Sequence, residues 1–126
     1  MIDIGKQSSY WRKGADEDWE AGKELLQSGR IRQGLFFIHL SLEKILKAHF
    51  CVNRRDVAPK SHNLVRLAEI GGVSLNEAQR DILADINAFN LEGRYPDSYA
   101  VLLSKDEVAL VMTGAEEIFS WLKSQF

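Results

Sequence analysis

The sequence predicts an all-α fold. Apolar residues recur at spacings of three and four along most of the chain. No segment alternates apolar and polar residues as a half-buried strand would. Two later segments open on a helix-start signature, a Ser followed three residues on by a Glu. The expected arrangement is two long antiparallel helices, a short third and two more, in one domain over residues 1–126.

The first helix is expected from about Gln7 to Ser28, with Trp11, Ala15, Asp18, Gly22 and Leu25 on one stripe flanked by Trp19 and Leu26, and Gly29 as its stop. The second is expected from Arg30 to Val52. Leu35, Ile38, Leu42, Ile45 and His49 form its stripe. Phe36, Phe37, Leu40 and Leu46 widen it, which makes this the most buried helix. "NRRDVAPKS" breaks the pattern, with Pro59 as a stiff element. A short helix follows from His62 to Ile70, with Ser61 as N-cap and Gly71 and Gly72 as its end. "SLNE" predicts a capping box of Ser74 and Glu77 for the fourth helix, whose stripe is Leu75, Ala78, Ile82, Ile86 and Phe89. "SKDE" repeats the device with Ser104 and Glu107. The fifth helix then carries Val108, Val111, Met112, Ala115, Ile118, Phe119 and Leu122.

Composition narrows the function classes. The chain has 126 residues, 45% hydrophobic and 27% charged, with a net charge of −2 and a pI near 5.9. It is not a generally basic nucleic-acid binder, so any RNA contact must be local. Charges interrupt every apolar stretch before the roughly 18 residues a membrane span needs. "MIDIGKQSSYWRKGADEDWE" has no apolar core of a signal peptide. The one cysteine, Cys51, builds no disulfide framework and fits a reducing cytoplasm. His39, His49 and His62 lack metal-site spacing, and no phosphate-cradling glycine loop, dinucleotide fingerprint or nucleophile elbow is present. No cofactor is expected.

Several polar residues sit where a packing face should be. In "FFIHLSLEKILKAHF", His39, Glu43 and Lys47 stack at i, i+4 and i+8. They form either a solvated salt-bridged stripe or a polar lining of a cleft. Asp18 falls on the packing stripe of the first helix and needs a cationic partner, for which Lys47 and Arg94 are the candidates. His62 is either a plain first-turn residue or an imidazole held beside the cleft. The scattered Arg30, Arg32, Arg54, Arg55, Lys60 and Arg66 read as solvated surface.

"NLEGRYPDSY", residues 90–99, breaks the helical reading between the last two helices. Pro96 restricts Tyr95 to extended backbone and so sets where Arg94 leaves the fourth helix. Arginine suits bidentate recognition of phosphate or carboxylate. Arg94 therefore either locks onto Asp18 or Glu43, or holds a phosphate.

In this order along the chain, the motifs resemble the HEPN domain family (higher eukaryotes and prokaryotes nucleotide-binding). Trp11, Ala15 and Asp18 are similar to its start. Glu43, Lys44 and Lys47 match its Glu-Lys and following Lys. "KSHNLVRLAE", with His62, Leu64 and Leu67, resembles its third segment, and "GRYPD" its Arg-Tyr-Pro corner. The resemblance implies an up-and-down four-helix bundle with an additional short helix. It also implies a homodimer and a separately encoded minimal nucleotidyltransferase partner in a toxin–antitoxin-type module. It implies a nucleotide- or RNA-phosphate-binding cleft of Arg94, Lys47, His62, Glu43 and Asp18. Many members are metal-independent ribonucleases whose signature is an Arg followed a few residues later by His. Here Tyr95, Pro96, Asp97, Ser98, Tyr99 and Ala100 follow Arg94, and no histidine occurs after His62. The reading is therefore a nucleotide-binding dimer. The alternatives are a divergent ribonuclease toxin with Arg94 and His62 as catalytic residues, and a non-catalytic interaction module in which the polar cluster is a buried lock. By analogy with modules in which the partner adds AMP to a tyrosine, Tyr99 is the candidate modification site.

Overall fold

A computed structural model describes residues 2–92 and 103–126. Its helices are α1 (Ile4–Gln27), α2 (Ile31–Arg54), α3 (Leu64–Ile70), α4 (Glu77–Glu92) and α5 (Lys105–Ser124). The architecture is the expected up-and-down four-helix bundle with the short α3 added, and no strand occurs among the described residues. Among those residues no helix is long and apolar enough to cross a membrane.

The central element is α2, which packs against each of the other four helices. Leu35, Ile38, Leu42, Ile45 and Leu46 are removed from solvent on it. They meet Ala15 and Trp19 of α1, Leu64 and Leu67 of α3, Leu83, Ile86 and Phe89 of α4, and Ala115, Ile118, Phe119 and Leu122 of α5 in one core. Trp19 stacks on Phe119 with ring centroids 4.5 Å apart, joining α1 to α5. On α4 Ile86 and Phe89 of the expected stripe are buried, whereas Ile82 is half-buried and Ala78 exposed, and Leu83 takes the buried position in place of Ile82.

The hairpin of α1 and α2 is close because two glycines face each other. A Cβ on Gly22 would stand 2.8 Å from Ile38 Cδ1 and 3.1 Å from the Gly34 carbonyl oxygen, and one on Gly34 would stand 2.6 Å from Leu26 Cγ. Ser41 Oγ adds a buried hydrogen bond to the Ala15 carbonyl at 2.8 Å. Gly34→Val is expected to force the helices apart and cost roughly 1–3 kcal/mol, to be read as a lowered urea midpoint. A midpoint at or above wild type would show that the helix gain from losing a glycine outweighs the crowding.

The caps correct three boundaries. Asp3 caps α1 by accepting from Lys6 N at 3.0 Å, so α1 starts before Gln7. Asn63, not Ser61, caps α3 by accepting from Arg66 N at 3.1 Å. Ser61 Oγ instead accepts from Asn63 N at 3.2 Å in the turn just before, which leaves His62 outside the helix. At α4 the reciprocal pair is Asn76 and Gln79 rather than Ser74 and Glu77. Gln79 N donates to Asn76 Oδ1 at 2.7 Å and Asn76 N to Gln79 Oε1 at 2.9 Å. The Ser104–Glu107 box forms as expected. Beyond Val52, α2 continues to Arg54, where Arg54 Nε donates to the Ile70 carbonyl at 2.7 Å and Asn53 Nδ2 to the Gly71 carbonyl at 2.8 Å. These bonds satisfy carbonyls at the end of α3 that the short helix cannot pair itself.

A buried carboxylate hub beside an exposed histidine

The His39, Glu43 and Lys47 stripe of α2 is buried, which removes the solvated reading. Glu43 and Lys47 are only 4% and 5% exposed, and His39 is fully enclosed. Lys47 Nζ donates to Glu43 Oε2 at 3.0 Å and lies 5.1 Å from the centroid of the Trp11 ring of α1, a cation–π contact. His62 Nδ1 donates to the other oxygen, Glu43 Oε1, at 3.0 Å. His39 Nδ1 stands 3.8 Å from that same oxygen. One carboxylate thus ties a lysine one turn below it to an imidazole arriving from another part of the chain.

The segment carrying His62 is itself anchored. Asn87 of α4 accepts from Leu64 N at 2.7 Å and donates to Asn63 Oδ1 at 3.1 Å. The imidazole of His62 is half-exposed, 54% by side chain. With Nδ1–H committed to a carboxylate, its Nε2 is the free nitrogen.

His39 differs in kind. Neither ring nitrogen has a hydrogen-bond partner of good geometry. Burial lowers its pKa to about 4, a shift that the nearby Glu43 charge opposes only in part. It is a neutral ring packed behind the hub. A second buried histidine, His49, lies elsewhere on α2. Its Nε2 donates to the Leu122 carbonyl at 2.7 Å and its ring stacks on Phe126. Burial lowers its pKa as well, and the Arg12 charge pushes the same way. Among the described residues no group of three or more His, Cys, Asp or Glu is placed to hold a metal ion.

The HEPN domain family model matches residues 8–125. The chain belongs to the HEPN domain family. The HEPN chain is also similar in fold to TT1696 from Thermus thermophilus, with a TM-score of 0.81 over 95% of this chain and 98% of that one, at 16% sequence identity. No curated protein matches the chain.

Within this HEPN bundle Asp18 takes a partner other than those expected. Lys44 Nζ lies 2.7 Å from Asp18 Oδ2. Lys44 reaches it by crossing Gly14, where a Cβ would stand 3.0 Å from Lys44 Cδ. Asp18 therefore pairs beside the hub rather than with Lys47. The structure brings Glu43, Lys47 and His62 together. Arg94, Tyr95, Pro96, Asp97 and Tyr99 lie outside the described residues. Sequence reasoning missed Asn87, a polar residue beside the apolar stripe of α4. It also left Lys44 without a partner, although Gly14 and Asp18 at i and i+4 mark a lane that a long side chain can cross.

Proposed function

We propose that this HEPN protein binds the phosphate of a nucleotide or RNA end over the Glu43–Lys47–His62 hub, with Arg94 as a further phosphate ligand and Asp18, through Lys44, bracing the wall. It acts as a homodimer in the cytoplasm. Its partner is a separately encoded minimal nucleotidyltransferase in a toxin–antitoxin-type module, with Tyr99 as the acceptor of any modification. The observation that carries the reading is the buried Lys47–Glu43 pair with the half-exposed His62 donating to it. Buried charges are costly, and an imidazole fixed at one nitrogen with the other free suits ligand recognition. Family membership supports the rest.

Titration with AMP tests the reading. Arg94→Ala is expected to leave the melting temperature nearly unchanged and to weaken binding on the order of tenfold to a hundredfold. Arg94→Lys should restore little, because it loses the planar fork. A large drop in melting temperature, with no wild-type affinity to lose, would instead mark Arg94 as a structural lock. Light scattering should return about twice the 14.3 kDa chain mass, and a monomer at all concentrations would defeat the dimer. Co-purification with a nucleotidyltransferase encoded in an adjacent reading frame tests the pairing.

The Glu43–His62 contact also favours a second reading. A histidine oriented by a carboxylate through one nitrogen is the arrangement of a general base, so a ribonuclease using His62 and Arg94 is the alternative. Metal-independent cleavage of RNA that disappears in His62→Gln would establish it.

A further inference from the structure

The geometry points to a second ligand site that shares no residue with the hub: a neutral pocket at the ends of α2 and α5 that seats a flat heterocycle bearing an exocyclic amino group, of which adenine is the type. The pocket is lined by His49 and Asn53 of α2, by residues 72–74 after α3, and by Trp121 and Gln125 at the end of α5. Its volume is about 280 Å³, just under the roughly 300 Å³ at which pockets for drug-sized ligands begin. The occupant is therefore the size of a base rather than of a whole nucleotide.

Hydrogen-bond polarity selects the ligand. His49 is 5% exposed, and its Nε2 meets the Leu122 carbonyl at 2.7 Å. A carbonyl only accepts, so Nε2 carries the proton and Nδ1 is left with a lone pair. Asn53 is fixed in the same way: its Nδ2 donates to the Gly71 carbonyl at 2.8 Å, which leaves Oδ1 as an acceptor. At Gln125 the chain is one link longer. Ser124 Oγ gives its proton to the Trp121 carbonyl at 2.6 Å and so accepts from Gln125 Nε2 at 3.2 Å, which leaves Gln125 Oε1 over. Among the described residues, His49 Nδ1, Asn53 Oδ1 and Gln125 Oε1 have no partner. One pocket thus gathers spare acceptors from three side chains, and its ligand must bring N–H groups.

Charge decides which N–H groups those are. Among the described residues no charged side chain lines the pocket, but two guanidinium groups flank it. Arg12 lies 4.2 Å over the Phe126 ring that stacks on His49, and its charge bears on that imidazole. Arg54 stands beside Gly72, with Nη2 3.4 Å from where a Cβ would be. An ammonium or guanidinium ligand would be repelled by these charges, and a phosphate would meet lone pairs. A neutral amino group on a ring satisfies both conditions. The rest of the lining suits the ring itself. Trp121 and Val73 belong to the apolar packing and give a wall for the base plane. Ser74 brings a hydroxyl that can donate to a ring nitrogen.

The test is titration of the isotope-labelled protein with adenosine, read by the shifts of its amide NMR signals. Adenosine carries no phosphate, so the hub does not bear on the result. Shifts are expected at Gly72, Val73, Ser74 and Gln125. Purine riboside, which lacks only the amino group, should bind about tenfold more weakly, because acceptors in the pocket are then left unpaired. Uridine, whose carbonyls would face those acceptors, should bind more weakly still. Gln125→Ala removes an acceptor from an exposed position and is expected to weaken adenosine about tenfold at an unchanged melting temperature. His49→Phe keeps a ring but loses Nδ1, and should erase the preference for adenosine over purine riboside, with its melting temperature recorded to confirm that it folds. Absence of shifts at these amides, equal binding of adenosine and purine riboside, or unchanged affinity in Gln125→Ala overturns the inference. Each of those results leaves the phosphate reading of the hub standing, since that reading is decided by AMP and Arg94→Ala.

Discussion

Glu43→Ala is expected to lower the free energy of unfolding by roughly 3–5 kcal/mol, because it strands a buried ammonium. In the native protein Lys47 is 5% exposed, with Glu43 Oε2 at 3.0 Å and the Trp11 face at 5.1 Å. Without Glu43 only the aromatic face remains, and His62 also loses the acceptor of its Nδ1. Urea denaturation should show the loss as a shifted midpoint with an unchanged slope. The comparison that isolates the charge is the double variant Glu43→Leu with Lys47→Leu. Removing both charges and refilling the volume with apolar atoms should recover most of the loss, since a buried ion pair is stabilising chiefly relative to its broken form. A loss under about 1 kcal/mol in Glu43→Ala would mean that the pair is solvated in solution, as surface pairs are, and would remove the physical basis of the proposed cleft.

The second large effect is on acid stability. The His39 pKa is about 4 in the folded state, against 6.5 for the exposed side chain. Between these values the unfolded chain binds the proton and the folded chain does not. Stability is therefore fully present above pH 6.5, falls as the pH drops towards 4, and is lost below that. The shift corresponds to on the order of 3 kcal/mol. His49, lowered by burial and by Arg12, adds a loss of the same sign. Melting temperature measured from pH 7.5 to 4 should fall steadily across this window. His39→Leu should flatten much of the slope, since it removes the titrating group together with two unpartnered ring nitrogens. An unchanged slope in that variant would show that His39 exchanges protons freely in the native state.

Much of the fold was legible from local chemistry. The three- and four-residue spacing of Leu35, Ile38, Leu42 and Ile45 marks a buried helix face whatever it packs against, and these residues are the centre of the core. Ser104 and Glu107 satisfy each other's backbone within one turn, so their box could be read directly. The misread caps failed for a related reason. Ser61 and Ser74 are good capping residues, but a later Asn stands nearer each helix, with its own partner in range. Several adjacent residues had the right chemistry, and only the backbone path selects among them.

The sequence by itself determined the helices, their order, the burial of α2, the family and the identity of the polar residues that fall on apolar faces. Periodicity and capping are local properties, and a charge on a packing face is visible wherever it occurs. Tertiary structure alone decided which charge meets which. Asp18 could pair with any lysine of α2 that faces α1. It meets Lys44 because Gly14 leaves an open lane across α1. Glu43 could have served Lys47 alone. It also receives His62 because Asn63 starts α3 two residues later than Ser61 would have, and Asn87 pins that turn against α4. Partner choice depends on the distances between elements far apart in the chain, and those are set by how the core packs.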